Sequence, residues 1–131
     1  MPERDHEELI AAVIGTPSGT TLRALFCAVT AKWPHPMRHE EGYTVGAFDD
    51  LEQQVGSAKA FALLPEAARL TLEQTDSALK EAAMSLLLGL VRSSNTTEIS
   101  DEMRGLLLRL KRQLTGSSYL REIEKWYRLT S

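Results

Sequence analysis

The chain has 131 residues, of which 43% are hydrophobic and 25% charged, and its formal net charge is −3. This composition excludes a largely disordered chain. A chain of this length can bury about two thirds of its unfolded surface without disulfides or metal, so we expect one domain over residues 1–131. The single cysteine, Cys27, cannot form an internal disulfide, which is typical of a reducing compartment.

The N-terminus, MPERDHEEL, lacks the basic segment and the following apolar segment of a secretory signal. No apolar run is long enough for a transmembrane helix. We therefore expect a cytoplasmic protein that has no membrane partner.

The charge is unevenly distributed along the chain. Residues 1–60 have a balance of −4 and residues 61–131 a balance of +1. No basic residue occurs between Arg38 and Lys59, and this acidic segment contains five carboxylates. They are Glu40, Glu41, Asp49, Asp50 and Glu52.

Two helices are predicted in the first third of the chain. Apolar residues recur on one face of residues 3–14, and Gly15 ends this helix. Thr20 or Thr21 can cap the second helix, which has a large apolar stripe on one side and small residues on the other, so that it is expected to be covered on both sides. The stripe is Leu22, Leu25, Phe26, Val29 and Trp33, and the small residues are Ala24, Cys27, Ala28 and Ala31.

Prolines after Trp33 end the second helix and predict a loop over residues 33–46. A loop of this length is often functional. A short helix ending at Gly56 follows, with another turn or two after it. Pro65 suits the first turn of a helix, and it predicts a new helix that runs to about residue 74.

The segment 76–92 is apolar around most of its circumference, and Asp76 is a favourable N-cap. We expect this helix to be covered on more than one side and to form the centre of the domain. Its wide face is Leu79, Ala82, Ala83, Leu86, Leu87 and Leu90, and Met84, Leu88 and Val91 lie on the flank.

Two further helices are predicted in the last third of the chain. One begins at Ser100 and ends before Gly116, and the other begins at Ser117 or Ser118. The last helix has an apolar face made of Tyr119, Leu120, Ile123, Trp126 and Tyr127. No segment alternates as a strand would, so the fold class is all-α with six to seven helices. The antiparallel pairs 65–92 and 100–129 leave two architectures open, a helical bundle and a short solenoid-like stack.

Several patterns invite a catalytic or metal-binding interpretation. His35 and His39 stand four residues apart beside acidic residues, but Pro36 separates them, and solvated loop residues explain them better than a metal site. Cys27 lies among alanines without a neighbouring base, which favours a buried small hydrophobe over a nucleophile.

The acids at residues 49, 50 and 52 could suggest acid–base catalysis or a divalent metal. No second cluster accompanies them, and no phosphate-binding loop or triad motif is present. We therefore predict no catalytic residue, no metal ligand, no cofactor and no small-molecule substrate.

Residues 104–128 contain seven bases, two acids and three aromatics, which could suggest nucleic-acid binding. The aromatics fall on the apolar face, so the bases form an ordinary solvated side. The acidic overall charge also argues against nucleic acid.

The stretches GTTLRALF, EEGYTVGAFDDLEQQ and LLLGLVRSSNTTEIS, together with size, acidity and helical make-up, resemble small bacterial immunity proteins of interbacterial competition systems. The resemblance is one of general character over most of the chain, and no family residue is transferred. It implies a stoichiometric, non-catalytic inhibitor that docks an acidic surface on a basic toxin domain.

The residues themselves, apart from this resemblance, also predict a protein-binding module. Acidic charge on a packed helical scaffold speeds the encounter with a basic partner. Other stoichiometric regulators, such as a phage-encoded inhibitor or an antitoxin-like adaptor, remain open, as does a helical enzyme with an unrecognised site. Trp33 and Phe48 are further candidate aromatic anchors. The predicted partner-binding residues are Glu40, Glu41, Tyr43, Asp49, Asp50 and Glu52.

Overall fold

The part of the chain that the computed structural model describes contains seven α-helices and no strand. It describes residues 2–16, 18–30, 41–114 and 116–128, and the side chains of these except 2–6 and 41–47. The all-α prediction is therefore confirmed. The helices are α1 (Pro2–Gly15), α2 (Gly19–Thr30), α3 (Glu41–Val55), α4 (Ser57–Glu73), α5 (Ser77–Ser94), α6 (Asp101–Gln113) and α7 (Ser118–Tyr127).

The architecture is a bundle organised around the hairpin of α4 and α5, which make the most extensive helix–helix contact. The first three helices pack on one another and reach the hairpin mainly through α2 on α4 and α3 on α5. The last two helices diverge, because α6 packs on α4 whereas α7 packs on α5. This divergence selects the bundle over a stack of successive pairs.

Helix α5 lies at the centre of the core, as its apolar circumference predicts. The Asp76 carboxylate accepts hydrogen bonds from the backbone N–H groups of Ala78 (2.9 Å) and Leu79 (3.1 Å), which fixes the first turn. Asn95 ends the helix in the left-handed conformation, at φ 53°. The buried residues are Ala83, Met84, Leu86, Leu87, Leu88, Gly89, Leu90, Val91 and Ser94.

The predicted helix start at Pro65 is wrong, because this proline lies inside the continuous helix α4. An internal proline costs about 3 kcal/mol through a lost hydrogen bond and a steric clash. Packing offsets this cost, since core residues flank the proline on both sides. They are Ala60, Leu63 and Leu64 before it and Ala67, Ala68 and Leu70 after it.

The predicted loop over residues 33–46 is also partly wrong. Residues 31–40, which include Trp33, both histidines of the loop and Glu40, lie outside the described part. From Glu41 onward the chain is helical, so residues 41–46 belong to α3. A glycine inside a helix costs about 1 kcal/mol relative to alanine. The burial of Phe48 and Leu51 on the same helix outweighs that local preference at residues 42 and 46.

Two expectations about α2 require correction. The N-terminal cap is Ser18, whose hydroxyl accepts from the Thr21 N–H (3.2 Å) while the Ser18 N–H donates to the Thr21 hydroxyl (3.3 Å). Cys27 is exposed, and so is Ala24 on the same small-residue side. The buried residues of α2 are Leu22, Leu25, Phe26 and Val29, all on its large apolar stripe, so only this side is covered.

The buried hydroxyl of Tyr127 on α7 is a position where a substitution is expected to stabilise the protein. Tyr127 is buried, its hydroxyl has no hydrogen-bond partner within the described residues, and burial raises its pKa to about 12. We expect Tyr127→Phe to raise the free energy of unfolding by about 1 kcal/mol, because it removes an unpaired buried polar group and keeps the ring. Urea unfolding measures this change. Tyr119→Phe, at a half-buried position of the same helix, should stay within about 0.5 kcal/mol of wild type. A loss of stability in Tyr127→Phe would contradict the assignment.

Candidate partner-binding site

The described part of the acidic segment lies on α3. Asp49 is exposed, whereas Asp50 and Glu52 are half-buried. The core stripe of this helix is Phe48, Leu51 and Val55. Glu52 follows Phe48 by four residues and precedes Val55 by three, so it lies at the edge of that stripe.

Glu52 is held against α5 rather than in open solvent. Its carboxylate lies directly over Gly89, in space that a β-carbon at that position would occupy. The Ser93 hydroxyl donates to the backbone carbonyl of Glu52 at 3.4 Å. Helix α5 thus approaches α3 closely at a residue without a side chain.

This environment changes the ionisation of Glu52. Burial, and secondarily the negative charge of Asp49, raises the pKa of Glu52 from 4.5 to about 7, although Arg92 partly opposes the shift. Near neutral pH this carboxyl is therefore protonated in a large fraction of molecules. Glu52 thus differs from Asp49, another of the predicted binding residues. It contributes to helix packing, and its side chain carries a negative charge in only a fraction of the molecules.

The candidate aromatic anchors have different positions. Phe48 is only 2% exposed, and its ring stacks on that of Phe26 with a centroid separation of 6.2 Å. It is a core residue, so its interpretation as an exposed anchor is wrong. Tyr43 lies in α3, but its side chain and that of Glu41 are outside the described part, as are Trp33 and Glu40 entirely. The roles of these four residues stay predictions.

Helix α1 adds acidic groups that we did not assign from the sequence. It packs beside α3, and Glu7 and Glu8 are exposed on it. The described side chains of α1 and α3 include no basic group. They provide the carboxylates of Glu7, Glu8, Asp49, Asp50 and Glu52. We call the exposed carboxylates of Glu7, Glu8 and Asp49 the acidic surface.

The basic residues of the C-terminal region occupy different helices. In α7 the aromatic residues are turned toward the core, with Tyr127 buried and Tyr119 and Trp126 half-buried. The indole N–H of Trp126 donates to the Thr96 carbonyl at 2.8 Å, which ties α7 to the chain before α6. The bases are on the solvated side of α6 and in and just after α7. They are Arg104, Arg109, Lys111, Arg112, Arg121, Lys125 and Arg128.

The part of the chain that the structure describes shows no candidate metal site. No group of three or more His, Cys, Asp or Glu side chains there could hold a metal ion. His35 and His39, the pair considered from the sequence, lie outside the described residues. None of the described helices combines the length and the apolar character that crossing a membrane requires.

Comparison with known proteins identifies no relative. No protein-family model matches the chain, and no curated protein or solved structure is significantly similar to it. The functional argument therefore depends on the residues and the geometry of this chain alone.

Proposed function

We propose that this protein is a non-catalytic protein-binding module, an immunity protein that neutralises a cognate bacterial toxin in the cytoplasm. It docks its acidic surface on a basic region of the toxin domain. The observation that supports this proposal is the arrangement of α1 and α3, two neighbouring helices whose described side chains include the exposed carboxylates of Glu7, Glu8 and Asp49 and no base. Complementary charge raises the rate of encounter and helps to select the partner.

The bundle presents this surface on two helices that are each packed into the core on one side. Ile10 and Val13 bury one side of α1, and Phe48 and Leu51 bury one side of α3. The exposed carboxylates of Glu7, Glu8 and Asp49 therefore stand on helices whose opposite faces are fixed in the core. Such preorganisation reduces the entropy that is lost on association.

The separation of charge also favours one orientation of the partner. The acidic surface lies on α1 and α3, whereas the exposed bases of the C-terminal region lie in and around α6 and α7, which pack on α4 and α5. A basic toxin domain is attracted to the first region and repelled by the exposed bases in the later turns of α6 and in α7. The electric field of the whole molecule thus directs docking toward the acidic surface.

A charge reversal at Asp49 tests this proposal. We expect Asp49→Lys to reduce the amount of cognate protein captured from a native lysate by about tenfold at low salt, because a repulsive charge replaces an attractive one. Capture on immobilised protein with quantitative mass spectrometry measures the effect. Thermal unfolding of the variant should match that of wild type, since the side chain is exposed.

Glu122→Lys is the control, because it makes the same change in net charge at an exposed position of α7. We expect it to leave capture unchanged. Equal capture by wild type and Asp49→Lys would contradict the proposed role of the acidic surface.

A further inference from the structure

A groove of about 220 Å³ lies between α4 and the start of α6, and no residue of α1 or α3 is among those that line it. Its lining is mostly apolar, and it is open to solvent. This volume is below the range of about 300–1,000 Å³ that small-molecule sites occupy. It is large enough for one apolar side chain, since a cavity of about 150 Å³ accepts a benzene ring. The lining residues used below are Phe61, Ala62, Leu64, Pro65, Ile99 and Met103.

Pro65 is part of this apolar lining. Proline has no N–H, so the carbonyl of Phe61, one turn earlier in α4, lacks its usual helical donor. Both residues line the groove. The proline thus interrupts the backbone hydrogen bonding of α4 beside the groove.

The rim of the groove is acidic. Glu102 is part of the lining, and the acids Glu98 and Asp101 and the base Arg104 adjoin lining residues in the chain and are exposed. Arg69 forms an ion pair with Glu102, but it also contacts Glu66 at 3.2 Å, so one guanidinium is shared by two carboxylates. The rim thus retains a negative balance, which complements a cationic segment.

We propose that this groove is an anchor pocket for one large apolar side chain on a basic segment of the protein partner. The inference rests on the proposed function as a module that binds a basic protein, and it adds a second contact point. An apolar anchor in a small pocket, surrounded by polar contacts, is how protein interfaces concentrate their binding energy. The rim carboxylates of Glu98, Asp101 and Glu102 attract the bases beside the anchor.

Two alanines of α4 provide a matched pair of variants. Ala62 lines the groove and is exposed, so Ala62→Trp fills the groove without disturbing the core. Ala58 lies one turn earlier on the same helix, is also exposed and does not line the groove. Ala58→Trp therefore controls for the added indole.

The test is an NMR titration of the full chain, labelled at isoleucine and methionine methyl groups, with three short synthetic peptides. The first has a central tryptophan between lysines and arginines, the second replaces that tryptophan by serine, and the third replaces the bases by acids. We expect saturable shifts at the Ile99 and Met103 methyls with the first peptide. Affinity for the second and third should be at least about tenfold weaker.

Ala62→Trp should abolish the shifts and Ala58→Trp should retain them. Lack of saturation with the first peptide, or equal affinity for the acidic peptide, would overturn the proposal. Methyl shifts that depend on protein concentration in the absence of peptide would also overturn it, because a second copy of the chain would then occupy the groove.

The two proposals can fail separately. If the peptides do not bind while Asp49→Lys still weakens capture, the groove proposal fails and the acidic surface stands. If the first peptide binds as expected while Asp49→Lys leaves capture unchanged, the acidic surface is rejected and the groove proposal stands.

Discussion

Replacement of Leu87 by alanine is expected to lower the free energy of unfolding by about 3–5 kcal/mol, the upper part of the range for such substitutions. Leu87 is 0% exposed on α5, and α3, α4 and α7 all pack on that helix. A site enclosed on several sides cannot collapse around the missing atoms, so a cavity remains. Urea unfolding followed by circular dichroism measures the change.

Leu108→Ala removes the same atoms from α6, at a leucine that is 58% exposed. Its expected effect is within about 0.5 kcal/mol, because little apolar surface returns to water. A loss below about 1 kcal/mol in Leu87→Ala would contradict the central position of α5.

The second large effect concerns Glu52 and pH. The pKa of this carboxyl is about 7 in the folded protein, against 4.5 ordinarily. The folded state therefore holds the proton more tightly than the unfolded state, and the stability associated with this group is fully present below pH 4.5. As pH rises through the interval between the two pKa values, the unfolded state ionises first and stability is lost.

Glu52→Gln should remove this loss. Because the side chain is only half-buried, solvent reduces the effect, and we expect the variant to be more stable than wild type by about 1–2 kcal/mol near pH 8. Near pH 4 the two proteins should differ little in stability, since the wild-type carboxyl is then mostly protonated in both states. Urea unfolding of both proteins across this pH range measures the difference.

Glu81→Gln, at an exposed carboxylate of α5, is the control and should leave the pH profile unchanged. A difference between Glu52→Gln and wild type that does not vary with pH would contradict the environment assigned to Glu52. Gly89→Ala provides independent evidence, because its β-carbon would displace the Glu52 carboxylate into solvent and should weaken the same pH dependence.

Three helix boundaries marked by a polar cap before an apolar stripe could be predicted from the sequence, although the cap of α2 could not. Asp76, Ser100 and Ser117 each accept hydrogen bonds from the first turn of the helix that they were expected to begin. In these cases one local signal is enough, because the cap and its partners lie within three residues.

The errors at Pro65 and at the start of α3 have the opposite cause. A proline or glycine in the sequence indicates only the local free-energy cost of forming a helix at that residue. This cost is smaller than the stabilisation from burying the rest of the helix. How much of a helix is buried depends on its neighbours, which sequence periodicity does not identify.

The candidate site was predictable where it depended on one helix. The exposure of Asp49 follows from its place beside the α3 stripe, and the position of Glu52 at the edge of that stripe could have been recognised from its spacing to Phe48. The contribution of Glu7 from α1 could not be predicted, because it depends on which helices are neighbours. The groove was equally inaccessible, since it brings Pro65 next to Met103 from distant parts of the chain.

The most direct test of the proposed function is capture from the native lysate on the immobilised wild-type protein, at about 0.05 M and about 0.5 M salt. The proposal predicts that one basic toxin domain is retained at low salt and is largely released at high salt. It also predicts that adding this protein to the purified domain in equimolar amount blocks its toxic activity. Retention of no basic protein at low salt, or of one whose activity is unaffected, would contradict the proposal.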